Sequence, residues 1–369
     1  MNKSKEYLLP VAVHVGELLR EWLDEHKMSG KEFAIRTGKP EKTISNILNG
    51  KSAVTKETAI AFEIVTGIPA EYILRFQAKY DEAVARLEQI NPMKRLWDEW
   101  GSLFPYADMA KCGWVKPTRK PIEKMDNILR FFKVTQEYAF DKQYANNLCG
   151  VKFRALGKSN RTSYAVSAWI RQGEILANEI EVGEFQREKI EEYIPLLKES
   201  SCKKDFDRVI NLCAEMGIKL VFVQNIPRAS ISGAVKWLAK TPIIMLSGKG
   251  KSLDKLVFNF FHELGHIHLN HCNDTIFVDD IDEISDVKEE KEADNYANNV
   301  LFGRLKEFQK KPNVQEVKNE ARRIGIHPCM IVGHLTHNKI ISYQDANSYY
   351  KSLLCPIELN FDTKANICD

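Results

Sequence analysis

His262-Glu263-Leu264-Gly265-His266 puts two imidazoles and a carboxylate within five residues. On a helix each residue advances about 100°. His262 and His266 then leave the same face, about 40° apart after one full turn. Two imidazoles so placed can grip one zinc ion, with Glu263 beside them as a general base. The chemistry implied is hydrolysis. Zinc lowers the pKa of a water toward about 7 and polarises a carbonyl, while Glu263 takes the water's proton and passes it to the leaving amine.

Catalytic zinc takes three protein ligands and a water. His268 and His271 lie about 240° and 180° from His262 around the helix, so neither joins the pair. The third ligand is expected from the next helix, whose sequence is KEEKEADNYANNVL. An acid there, Glu292 before Glu289, would face the histidines once the two helices pack antiparallel through Ala293, Tyr296, Ala297 and Val300. Most other acids from Asp279 onward read as a solvated loop and helix start. Candidate donors for a developing oxyanion are His327, His334, His337 and Tyr343, each of which reads more simply as structural or solvent-facing.

The elements that must position this motif are legible around it. Ser252 caps an apolar helix from Leu253 to about Leu269. Before it stand three extended runs, Lys219 to Gln224, Ile231 to Trp237 and Pro242 to Ser247, which predict a small sheet of about three strands. Such a sheet suits strand-like binding of a peptide substrate. Lys203 to Gly217 reads as a helix, and Lys288 to Phe302 as another. Residues 91–200 are helical in pattern and rich in aromatics, broken by Pro105, Pro117 and Pro121.

The first 90 residues have a different character. His14 to Lys27 carries apolar residues at helical spacing. Ser29 and Glu32 form a capping-box pattern for a second helix, which Gly38 stops. Pro40 falls in the first turn of a third helix that ends at Asn49-Gly50. Thr55 caps a fourth helix, stopped by Gly67, and Ile68-Pro69 opens a fifth. Helices two and three with their short turn describe a helix-turn-helix. Phe33, Ala34, Ile44, Ile47 and Leu48 would face the first and fourth helices. Glu41, Lys42, Thr43, Ser45 and Asn46 remain on the outer face, ringed by Lys39, Lys51 and Lys56. From Lys39 to Lys56 four lysines meet one glutamate, a local charge of +3. That patch suits phosphate, and Lys42, Ser45 and Asn46 can read base edges in a major groove.

Composition sets the outer bounds. A chain of 369 residues with 44% apolar and 28% charged residues has room for two or three compact units. The net charge of +3 permits nucleic-acid binding without demanding it. No apolar run approaches the roughly 20 residues a membrane-spanning helix needs. Met1 to Pro10 lacks the apolar core of a signal peptide. The eight scattered cysteines contain no C-x-x-C pair and read as reduced thiols of a cytoplasmic protein, Cys272 beside the zinc helix being incidental.

Two stretches resemble known families. Residues 10 to about 85, HVGELLREWL…SGKEFAIRTGKPEKTISNILNGKSAVTKETAIAFEIVTG, resemble the HigA-type antitoxin subgroup of the Xre/Cro-like DNA-binding domains. Residues 150 to 345 are similar to the ImmA/IrrE zinc metallopeptidases through FNFFHELGHIHLN, KEADNYANNVL and ARRIGIHPCMIVGHLTH. The second resemblance implies His262, His266 and Glu292 as zinc ligands and Glu263 as catalytic base. The first implies Glu41, Lys42 and Asn46 near base edges, with Lys39, Thr43 and Asn49 near phosphates; Ser45 and Lys51 join the interface from the outer-face and lysine-patch reading above. The chain departs from the family at ADNYANN, at Cys329 in place of Gly and at His334 in place of Arg.

The fold expected is mainly α with a small β-sheet (α+β). A five-helix helix-turn-helix domain (1–90) precedes a helical connecting region (91–200), a zincin-like peptidase domain (201–345) and a tail (346–369). The leading function is a homodimeric regulator that binds double-stranded operator DNA and cuts a partner protein, a repressor or a toxin, with zinc as cofactor. The alternative is an antitoxin that represses its operon and sequesters toxin, its peptidase fold kept as a docking surface.

Overall fold

The computed structural model describes residues 12–145, 161–229, 231–247, 251–271, 277–278, 287–308 and 310–359. The chain divides into two compact units, residues 1–99 with 119–126, and residues 100–118 with 127–369. Cys149, Cys272, Cys368 and the first ten residues lie outside the described residues.

The first unit opens with α1 (Val15–Glu25), α2 (Gly30–Thr37), α3 (Glu41–Leu48), α4 (Lys56–Thr66) and α5 (Ala70–Glu88), followed by α6 (Ile90–Glu99). Its punctuation is local chemistry. Ser29 Oγ accepts from the Glu32 N–H at 3.1 Å, but the Glu32 carboxylate turns to Arg36 Nε at 2.9 Å, so the side chains make a cap and an ion pair instead of the reciprocal box. Thr55 caps α4 in the same way. Gly38 and Gly67 end α2 and α4 with φ of +64° and +70°, the left-handed conformation that favours glycine. Pro40 stands at the N-cap of α3, one residue ahead of the first turn.

Val15, Leu19, Phe33, Ile44, Ile47 and Phe62 form the core of this bundle. Leu48 packs against it from a half-buried position. The first and third helices meet so closely at Gly16 that a Cβ there would stand 2.1 Å from the Ile47 carbonyl oxygen. That contact needs glycine.

The second unit contains α7 (Tyr106–Lys111), α9 (Glu137–Phe140), α10 (Arg161–Ala177), α11 (Lys189–Cys202) and α12 (Phe206–Glu215); α8 (Pro121–Phe132) carries the chain from the first unit into it. The aromatics of the connecting stretch make a core of their own. Phe104, Phe132 and Phe140 pack edge-on or tilted, with ring centroids 5.0–5.3 Å apart, and Trp100 and Tyr164 join them.

The sheet has strand order β1-β3-β2-β4, with β1 at Lys219–Phe222, β2 at Gly233–Leu238, β3 at Thr241–Leu246 and β4 at Phe277–Val278. β1 runs parallel to β3, and β2 antiparallel to both neighbours. The first three strands are those the extended runs predict. The two-residue β4 is an addition, and it takes the outer side of β2 at Ala234 and Val235.

The helix of the H-E-x-x-H motif, α13 (Leu253–His268), packs most extensively against α14 (Val287–Phe302). Ser252 occupies its N-cap position, but the hydroxyl makes no capping bond. The head of α13 is held instead by a C-terminal strap. Leu253 N–H donates to Cys355 O at 2.9 Å and Ile357 N–H to Lys251 O at 3.1 Å. The remaining helices are α15 (Val314–Ile324), α16 (Pro328–His337) and α17 (Tyr343–Ser348). Among the described residues no helix is long and apolar enough to cross a membrane.

Candidate metal centre and nucleic-acid interface

The candidate metal site starts from the burial of α13. Leu256, Val257, Phe260, Phe261, Leu264 and Ile267 all lie in the core, so this helix is apolar around most of its circumference. Inside that packing His262, Glu263 and His266 are themselves buried, the last two completely. Gly265 lets α14 come close. A Cβ there would lie 3.0 Å from Tyr296 Cδ1 and 3.4 Å from Ala293 Cα.

That approach delivers Glu290 to the histidine pair. His262 Nε2 lies 3.2 Å from one Glu290 carboxylate oxygen, His266 Nε2 lies 3.6 Å from the other, and the two Nε2 atoms are 3.0 Å apart. Donors about 2.0–2.1 Å from a tetrahedral zinc stand about 3.3 Å from one another. Two imidazole nitrogens and a carboxylate at such separations fit zinc in both donor type and spacing. Burial, aided by His262 and His271, holds the His266 imidazole far below its ordinary pKa, at about 3. It is therefore neutral near pH 7, as a metal ligand must be.

Glu292 is not brought to the pair. It lies two residues beyond Glu290, about 200° around α14, and its carboxylate sits 3.1 Å from His271 Nε2. His271 Nδ1 in turn lies 3.2 Å from His266 Nδ1. Glu289 belongs to no group of clustered metal-ligand atoms among the described residues. Asp294, which no sequence signal singles out, has its carboxylate 2.9 Å from His262 Nδ1. Each histidine thus presents Nε2 to the candidate metal position and has its Nδ1 held from behind, the arrangement that fixes ring orientation in metal sites.

His271 reaches this position because α13 has already ended. Asn270 takes a φ of +63°, and His271 N–H donates back to His266 O at 3.0 Å. Asn270 N–H bonds to Ile267 O at 3.3 Å, which completes a Schellman turn. Such a turn brings the residue two past the cap against the third-last residue of the helix. Here those residues are His271 and His266. A helical projection does not apply beyond the last turn, so the separation of about 180° expected for His271 does not hold.

Glu263 faces β2. A Cβ at Gly233 would stand 2.2 Å from Glu263 Oε1, so only glycine leaves room for the carboxylate beside that strand. The four oxyanion candidates have other surroundings. His327 caps α16, its Nδ1 accepting from Cys329 N–H at 3.2 Å. His334 packs on the Phe302 ring at 4.2 Å. His337 is exposed, and Tyr343 is 73% exposed.

In the first unit, α3 buries Ile44 and Ile47 and turns Glu41, Lys42 and Ser45 outward. Asn49, Lys51 and Lys56 are also exposed, while Lys39, Thr43 and Asn46 are half-buried. Asn49 Nδ2 donates to Ser45 O at 2.8 Å, so its amide finishes α3. The lysines and the polar face of α3 therefore form one basic, solvent-facing surface.

Known proteins match the two regions separately. The family described as Helix-turn-helix matches residues 19–73, and the family described as Peptidase U49 matches residues 252–346. The uncharacterized HTH-type transcriptional regulator YddM of Escherichia coli K12 is 33% identical over 82 residues, 22% of this chain and 87% of that protein. An addiction module antidote protein of the HigA family from Coxiella burnetii is 28% identical, covering 23% of this chain and 92% of its own, with a TM-score of 0.21. The Pseudomonas aeruginosa antitoxin HigA, solved with the higBA promoter, is 22% identical, covering 23% and 94%, with a TM-score of 0.22.

Proposed function

We propose, for a chain that belongs to the Xre-like helix-turn-helix regulators and carries a peptidase U49 domain near its C-terminus, that it binds operator DNA as a homodimer and cuts a partner protein with zinc. The observation that supports the peptidase reading is the convergence of the buried His262 and His266 with the half-buried Glu290, Glu263 being buried next to His262 in the chain. These three side chains are the proposed ligands. Zinc, when bound there, supplies a Lewis acid for the scissile carbonyl and a more acidic water.

The chain's own residues do the rest. Asp294 and His271 keep the two imidazoles turned toward the ion from their Nδ1 sides. Glu263 is the general base. It takes the proton of the attacking water and returns it to the leaving amine. The surrounding core excludes other water and strengthens each of these charge interactions.

The DNA reading rests on the outer face of α3. Glu41, Lys42, Ser45 and Asn46 are proposed at base edges, with Lys39, Thr43, Asn49 and Lys51 at phosphates. Two copies would present two such helices to the half-sites of a symmetric operator. Cys112, Cys202, Cys213, Cys329 and Cys355 are free thiols, consistent with a reducing, cytoplasmic setting.

The substrate is proposed to be the product of a neighbouring gene, a repressor or a toxin. The decisive experiment co-expresses that product with the wild-type chain and with Glu263→Gln. Glu263→Gln should retain zinc and lose cleavage. If no cleavage product appears with wild type, and the partner is neutralised equally by both, the chain acts by sequestration and the peptidase reading falls.

A further inference from the structure

A second group of metal-ligand side chains lies outside the H-E-x-x-H site and has no part in the proposed cleavage. A ring nitrogen of His327, Cys329 Sγ and Cys355 Sγ all lie within 4.8 Å of one another. His327 Nδ1 is 3.0 Å from the Cys329 sulfur. Both cysteines are buried and neither is in a disulfide.

The donors come from two separate stretches of backbone. His327 and Cys329 sit at the N-cap and second position of α16. Cys355 arrives on the C-terminal strap, where its carbonyl accepts from Leu253 N–H at the head of α13. Zinc bonds of about 2.3 Å to sulfur and about 2.0–2.1 Å to nitrogen separate tetrahedral donors by about 3.5–3.8 Å. The observed cluster needs only small side-chain shifts to reach that spacing.

Two buried thiols and an imidazole are a soft donor set, which selects zinc over magnesium or calcium. We propose that His327, Cys329 and Cys355 form a second zinc-binding site. Binding releases the two thiol protons to solvent and leaves the fourth position of the tetrahedron to water. The site would clamp the C-terminal strap to α16, and through Leu253 to the first turn of the helix that carries His262 and His266. The competing explanation is that the two cysteines serve only as small apolar side chains.

Cobalt separates the two sites, because among the described residues the H-E-x-x-H cluster offers only nitrogen and oxygen. Thiolate-to-cobalt charge-transfer absorption in the near-ultraviolet therefore reports the sulfur site alone. The reduced full-length protein loaded with Co²⁺ should show this band, and so should the His262→Gln/His266→Gln variant. Cys329→Ser and Cys355→Ser should each lose it, and the zinc content by elemental analysis should fall by one ion per chain. Absence of the band in cobalt-loaded wild type overturns the proposal, whatever the variants do. So does a band that survives Cys329→Ser and Cys355→Ser together.

Discussion

Glu290 and Glu292 stand two residues apart on one helix, about 200° around its axis, so they cannot both face one ion. Among the described residues of α14 the three fully buried ones, Ala293, Ala297 and Leu301, follow Glu290 by three, seven and eleven positions. Glu290 therefore continues the stripe that packs on α13, while Glu292 points well away from it. That stripe was the available signal, but Tyr296 and Val300, which are only half-buried, blurred its direction. Replacing Glu290 by Gln should weaken zinc binding by more than about 100-fold, since it removes a proposed ligand. Glu292→Gln and Asp294→Asn should each cost about 10–100-fold, the usual effect of losing a group that orients a ligand. Chelator competition measures all three. A larger loss with Glu292→Gln than with Glu290→Gln would restore Glu292 as the ligand.

Among the elements, α1 carries an unusual cap. His14 Nδ1 accepts from Gly16 N–H at 3.0 Å, and the ring packs edge-on to Tyr80 at 4.6 Å. Burial holds its pKa below the ordinary value, more than Asp81 and Glu17 raise it. A histidine with a depressed folded pKa binds its proton first in the unfolded chain. Stability is thus complete above the ordinary histidine range, about pH 6.5, and is lost as pH falls below it. Protonation also removes the acceptor that makes the cap. The melting temperature of the DNA-binding unit should fall between pH 7.5 and 5.5. His14→Asn, a cap that does not titrate, should flatten that fall when followed by circular dichroism. An unchanged slope in His14→Asn would show that other groups govern it.

At the scale of the whole molecule, the basic surface around α3 should give salt-dependent operator binding. Lys42→Ala should reduce the slope of log K against log salt by about 1, and Asn46→Ala should relax base preference at a cost of about 1–3 kcal/mol. Fluorescence anisotropy over a salt series reads both, and specific binding that survives the double substitution removes α3 from the recognition role. Much of this architecture is legible in the sequence. Ser29, Gly38, Thr55 and Gly67 mark helix ends through bonds and backbone angles that span three or four residues. Helical pitch alone brings His262 and His266 to one face. Three of the four strands announce themselves as extended runs between turns. The rest depends on contacts between distant segments, which no local pattern encodes. The roll of α14 on α13 selects Glu290, a left-handed Asn270 swings His271 behind His266, and Gly233 on β2 makes room for Glu263. Local bonding and helical period specify the pieces and their faces; close packing across the chain specifies which side chains finally meet.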